Sequence, residues 1–218
     1  MGWIGYSKPT ETSTDKTQTA LGPRFVNRKA SRQSTEANKK TLPGLKPRLV
    51  ATMLLTRVVD DGRNLDALTD REHGLNSYLN LSDPDRALAQ AICRTALRNR
   101  NRIEIVMKRV ADRPPPKNAR FLIHSLHVAI AQLLFMDVPD SAAVNLAVGA
   151  IGDDKRTVRF KGFANAILRR VERERDDLLA RTTEVSPFPK WFKKQLRKGF
   201  GREKLGTISA AVDRRAHV

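Results

Sequence analysis

The chain has 218 residues, with 41 Lys or Arg against 23 Asp or Glu, a formal charge of +18 and a pI near 10.8. Its length suits one domain of moderate size with additional sequence, and 40% hydrophobic content with only 6% aromatic content calls for an aliphatic core. Such a charge points to polyanionic partners, nucleic acid first among them, while the single cysteine excludes an intrachain disulfide framework and a cysteine zinc site.

Residues 1–50 hold ten Lys/Arg against three Asp/Glu, and residues 1–45 show almost no apolar period. Such a segment cannot bury enough surface to offset the entropy of ordering it, so residues 1–45 are expected to form a disordered basic arm. No secretory apolar core opens the chain, and "MGWIGY" lacks the hydroxyl residue of a myristoylation signal. No stretch has the apolar length of a membrane-spanning helix, and a cytoplasmic location is expected. Residues 51–218 still carry 31 basic against 20 acidic residues. The folded body is itself basic.

From Pro47 the pattern turns helical. "PRLVATMLLTRVVDD" sets Leu49, Met53, Thr56 and Val59 along one side, with Pro47 suited to a first turn. "GRNLDALTDREHGLNSYLNL" reads as a short helix and a loop. "SDPDRALAQAICRTALRNR" opens with a start signal in which Ser82 caps, Pro84 lies in the first turn and Asp85 follows three residues after the cap. A helical pattern of Ile103, Val106, Met107 and Val110 comes next, stopped by "RPPP" at 113–116. "KNARFLIHSLHVAIAQLLFM" is apolar on most sides and is expected to be the central helix. "DSAAVNLAVGAI" offers Val144, Ala147, Val148 and Ile151 at helical offsets, and "GDDKRTVRF" reads as a polar connection. "KGFANAILRRVERER" then places Phe163, Ile167, Leu168 and Val171 on one face. "SPFPKWFKKQLRKGFG" closes the pattern with two prolines and a basic amphipathic run. No run alternates polar and apolar residues, so the fold class is all-α.

Catalytic groupings are missing from this pattern. Cys93 sits in an apolar helical context and reads as a buried structural thiol. His124 and His127 are three apart, compatible with metal ligands, but no cysteine or carboxylate shares their face, and they read as packed histidines. No phosphate-binding glycine loop or nucleophile–base grouping is present. The basic residues are better patterned. Arg86, Gln90, Arg94, Arg98 and Arg102 recur every four residues, and so do Lys161, Asn165, Arg169 and Arg173. Two arginine-rich stripes with few acidic neighbours point to phosphate contacts, for which the planar guanidinium fork is suited. The expected RNA-binding residues are therefore Arg86, Arg94, Arg98 and Arg102 on one stripe, and Lys161, Arg169, Arg170 and Arg173 on the other.

The succession "DRALAQAICRTALRNR", "HVAIAQLLFMDVPDSAAVNLAV" and "KGFANAILRRV" resembles the NusB-type RNA-binding domain. It is most similar to the version at the N-terminus of bacterial small-subunit rRNA cytosine-5 methyltransferases, the RsmB/Sun family. The resemblance covers about residues 46–210 and implies a NusB-like all-helical bundle over 46–180. Residues 181–218 would begin the linker that precedes the methyltransferase domain, and "PKWFKKQLRKGFG" is similar to that tail. Asn145, Gly162, Phe163 and Asn165 are taken as structural members of the motifs, with Gly162 allowing a close helix approach.

Two departures matter. Leu146 stands where the family commonly has an acidic residue after the asparagine of the "AVN" motif, and the chain stops at "ISAAVDRRAHV", where the catalytic domain would start. The family's cysteine nucleophile has no counterpart in Cys93. No cofactor is therefore expected in this chain, S-adenosylmethionine belonging to the absent catalytic domain. The resemblance implies an RNA partner, small-subunit rRNA, and substrate recognition without catalysis. The alternative is a free-standing NusB-type antitermination factor that regulates transcription by binding RNA and a protein partner.

Overall fold

The computed structural model describes residues 43–213. The expected disordered arm falls almost wholly outside the described residues, which hold ten α-helices and no strand. The all-α expectation holds for them.

Helix α1 (Leu45–Val59) buries Pro47, Val50, Ala51, Leu54 and Leu55. This is not the face the sequence suggested. Met53 is exposed, because "LVATMLL" is apolar all round and its period does not fix which side meets the core. Two single-turn helices follow, α2 (Leu65–Leu68) and α3 (Asn76–Leu79). In α2, Asn64 caps by accepting a hydrogen bond from the Asp66 amide at 2.9 Å.

Helix α4 (Asp83–Arg98) starts as expected, with Ser82 Oγ accepting from the Asp85 amide at 3.4 Å and Pro84 in the first turn. It buries the small residues Ala89, Cys93 and Ala96 beside Ile92, and their size lets α4 pack closely along α1. Helix α5 (Arg100–Val110) buries Ile103, Val106, Met107 and Val110, the four positions the spacing indicated. The chain leaves the helix at Ala111, in extended backbone, ahead of the proline run.

Helix α6 (Arg120–Phe135) is the central element. Twelve of its sixteen residues are buried, and it packs on α1, α4, α7 and α8. Polar groups inside it bond back to their own helix: Gln132 Nε2 donates to the Val128 carbonyl at 3.0 Å, and His127 Nδ1 lies 2.8 Å from the Ile123 carbonyl. Helix α7 (Asp140–Asp153) buries Ala143, Val144 and Ile151, with Ala147 and Val148 half-buried against the same core. A single 3-10 turn (Val158–Phe160) leads into α8 (Lys161–Arg173), and α9 (Arg175–Thr182) follows.

Helix α10 (Lys190–Asp213) breaks at Gly201, whose φ of 80° lies in the region that favours glycine. The connection to it is held against α5 by Asn101, whose Nδ2 donates to the Ser186 and Phe188 carbonyls, each at 3.0 Å. No helix among the described residues is long and apolar enough to cross a membrane.

Candidate nucleic-acid interface

Helix α8 buries Ala164, Ile167, Leu168 and Val171. At 3.6 residues per turn this turns Lys161, Asn165, Arg169 and Arg173 outward, and all four are exposed. Acidic partners are sparse. Arg169 Nη1 lies 2.9 Å from Glu172, Arg173 comes no nearer than 3.9 Å to Glu174, and Lys161 has no ion pair among the described residues. Exposed pairs of this kind hold only about 0–1 kcal/mol, so the cations can exchange them for phosphate oxygens.

The two motif asparagines have different surroundings. Asn145, on α7, accepts from Arg169 Nη2 at 3.4 Å and so joins the α7 motif to the basic face. Asn165 is exposed and has no side-chain hydrogen bond among the described residues. Arg170 is turned inward by comparison. Its Nε donates to Glu174 at 2.9 Å and its Nη1 to the Val110 carbonyl at 3.3 Å, which ties α8 to the end of α5.

Phe163 is half-buried against the core. The close approach expected at Gly162 lies elsewhere: a Cβ there would meet nothing within 4 Å, whereas at Gly152 it would sit 2.9 Å from Lys161 Cδ. Gly152 of α7 therefore gives room to the stem of Lys161.

The other stripe is divided. The helix ends at Asn99, buried and bonded through Nδ2 to the Thr95 carbonyl at 3.1 Å, and a new helix begins at Arg100. Arg102 thus lies on α5, with its guanidinium 4.7 Å from the centre of the Phe135 ring, while Arg86, Arg94 and Arg98 stay on α4. Arg86 pairs with Asp83 and donates to the Leu79 carbonyl at 3.3 Å, which fastens α4 to the end of α3. Arg94 lies 3.7 Å from Asp66. Arg98 is half-buried.

Sequence reasoning passed over the connection before α8. Lys155, Arg156 and Arg159 are exposed there and continue the cations of α8 past its N-terminal end. Arg156 forks Asp154 through Nε at 3.1 Å and Nη2 at 2.7 Å, and these bonds hold the Asp154 carboxyl below its usual range. Arg159 lies 4.8 Å from the centre of the Phe160 ring. A cleft of about 370 Å³ opens here, with Arg120, Arg156, Arg159, Phe121 and Phe160 in its wall. The signal was present as "KRTVRFK", four cations in seven residues, but it lacks helical spacing.

His124, His127 and Cys93 are all buried. Cys93 is fully buried, and burial pushes its thiol up to about 12, leaving no thiolate for attack at neutral pH. Among the described residues no group of histidine, cysteine or acidic side chains could hold a metal ion.

The NusB family model matches residues 45–173, from the first residue of α1 to the last of α8. The chain belongs to the NusB family. Both the α7 asparagine motif and the α8 basic face lie inside that match. Ribosomal RNA small subunit methyltransferase B of Xanthomonas campestris is 37% identical over 161 residues, covering 72% of this chain and 34% of the relative. The protein of the same name from Xylella fastidiosa is 33% identical over 172 residues, covering 78% and 37%, and that from Pasteurella multocida is 30% identical over 165 residues, covering 74% and 35%. This NusB-family chain spans about a third of the length of these relatives.

Proposed function

We propose that this chain is an RNA-binding module that recognises small-subunit rRNA, supplying substrate recognition to rRNA cytosine-C5 methylation and no chemistry of its own. The observation that carries the reading is the α8 face, where Lys161, Arg169 and Arg173 stand exposed over a buried apolar stripe with few acidic partners. The cations at 155, 156 and 159 extend it. Membership of the NusB family and likeness to proteins named for small-subunit rRNA methylation support the same partner. Arg170 serves this face indirectly, by holding α8 against α5. An rRNA substrate fits a cytoplasmic location.

Fluorescence anisotropy with fragments of small-subunit rRNA, a transcript leader and duplex DNA tests the assignment. Preference for the rRNA fragments supports it. Equal binding to all three would reduce it to general polyanion attraction, and preference for the leader would favour the antitermination role. With S-adenosylmethionine and unmodified rRNA the chain transfers no methyl group on this account. Turnover that Cys93→Ser abolishes would overturn that.

A further inference from the structure

A second cavity, of about 670 Å³, lies where α5, the proline run and the start of α6 meet. Its volume is that of a small-molecule site. Met107, Ala111, Pro114, Pro115 and Ile123 give it an apolar wall. His127 also lines it, only 6% exposed, and the Nε2 of that ring is buried without a hydrogen-bond partner. Lys108 and Lys117 stand at its edge, both exposed and without an ion pair among the described residues. Arg120 belongs both to this cavity and to the cleft formed by Arg156 and Arg159.

We propose that this cavity receives one unstacked nucleotide of the RNA that the basic face binds. The assignment rests on the RNA-binding reading above and adds to it a site for base recognition. Glu104 and Asp112 line the cavity as well, but each faces an arginine, Arg100 at 3.2 Å and Arg170 at 3.7 Å, and the remaining features answer parts of a nucleotide. An apolar wall accepts the face of a base, and the thioether of Met107 makes favourable contacts with aromatic rings. The two lysines at the edge suit the phosphate.

The orphaned His127 nitrogen decides the polarity of the base edge. With Nδ1 spent on the Ile123 carbonyl, the neutral ring keeps its proton there, and Nε2 is left as an acceptor. Burial pushes this histidine down to about 4, so it remains an acceptor at neutral pH. It calls for an amino or imino N–H, which every base carries on its pairing edge once unpaired.

The test is NMR on the full chain, following the Met107 methyl and the His127 Nε2 resonance. Single-stranded RNA oligonucleotides and the four nucleoside 5′-monophosphates are the probes. Both signals are expected to move with the oligonucleotide. In Ala111→Phe, which fills the cavity from its half-buried lip, they should stay still, and the oligonucleotide should bind about tenfold more weakly, the order of one stacked base. Circular dichroism checks that this variant folds, and Lys117→Ala, at an exposed position, provides a second variant expected to weaken binding.

Oligonucleotide binding that is salt-sensitive but leaves both signals unmoved would sink the cavity and spare the basic face. Signals that move with the monophosphates and not with the oligonucleotide would show a free-nucleotide site and overturn the proposal. Absence of RNA binding at any salt concentration would remove both readings.

Discussion

Helices α4 and α8 carry the same sequence device, a cation at steps of four beside a buried apolar stripe, and the fold uses it in two ways. On α4, Arg86 pairs with Asp83 and with the carbonyl that ends α3, and Arg94 faces Asp66 of α2. On α8, Lys161 has no acidic partner among the described residues, and the acidic neighbours of Arg169 and Arg173 lie on their own helix or at its end. A stripe becomes available to a polyanion when the acids that could neutralise it lie elsewhere in space. Spacing along one helix carries no information about that.

The comparison can be sharpened first through the apolar stripe that orients α8. Leu168→Ala removes a fully buried side chain and should cost about 2–5 kcal/mol of stability in urea unfolding. Phe163→Ala, at a half-buried position, should cost less. If Phe163 proved the more damaging of the two, the orientation of α8 described here would be incorrect.

A pH titration probes the buried side of α6. Burial pushes His127 down to about 4. Burial also pushes His124 to about 4, aided by the charges of Arg120 and Arg100, although its Nε2 lies 3.0 Å from Asp60. Arg120 binds the same carboxylate and takes up its charge. Both histidines thus fold in the neutral form, whereas the unfolded chain binds protons below about pH 6.5. Their contribution is complete above pH 6.5 and is lost as pH falls from 6.5 toward 4. The melting temperature should decline through that window, and His127→Gln should flatten the decline. A melting temperature independent of pH between 4 and 6.5 would contradict the buried neutral pair.

Arg86→Ala should separate the two stripes directly. It removes the bond to the Leu79 carbonyl and should cost about 0.5–1.5 kcal/mol of stability, with little change in RNA affinity. A large affinity loss at unchanged stability would return α4 to the interface. The smallest effect belongs to Gly162→Ala, which adds a methyl in open space and should stabilise α8 by up to about 1 kcal/mol through helix propensity. Gly152→Ala should instead displace Lys161 and weaken RNA binding, a difference visible in paired anisotropy measurements.

Much of this fold was legible in the sequence because the apolar positions of α5 and α8 repeat cleanly and Ser82 announces the start of α4. The buried side of α1 was hidden by a run that is apolar all round. The break at Asn99 was hidden because the i, i+4 spacing of arginines continues through it while the backbone does not. Of the candidate site, the α8 cations were readable as a stripe, since their buried neighbours set the outward face. The tethering role of Arg170 was not, because its partner Val110 is a backbone carbonyl sixty residues away. The cations at 155, 156 and 159 escaped because they lie in a turn, where no period marks a face.

The central claim is that α8 meets phosphate, and salt-dependent RNA binding by the Lys161→Ala/Arg169→Ala double variant tests it most directly. For about six phosphate contacts the parent's affinity should fall by a few orders of magnitude between 50 and 200 mM salt. The double variant should bind more weakly across RNA sequences and lose about one unit of salt slope per lost contact, with folding within about 0.5 kcal/mol of the parent. Parental affinity at every salt concentration would contradict the account and leave the α8 face merely solvated.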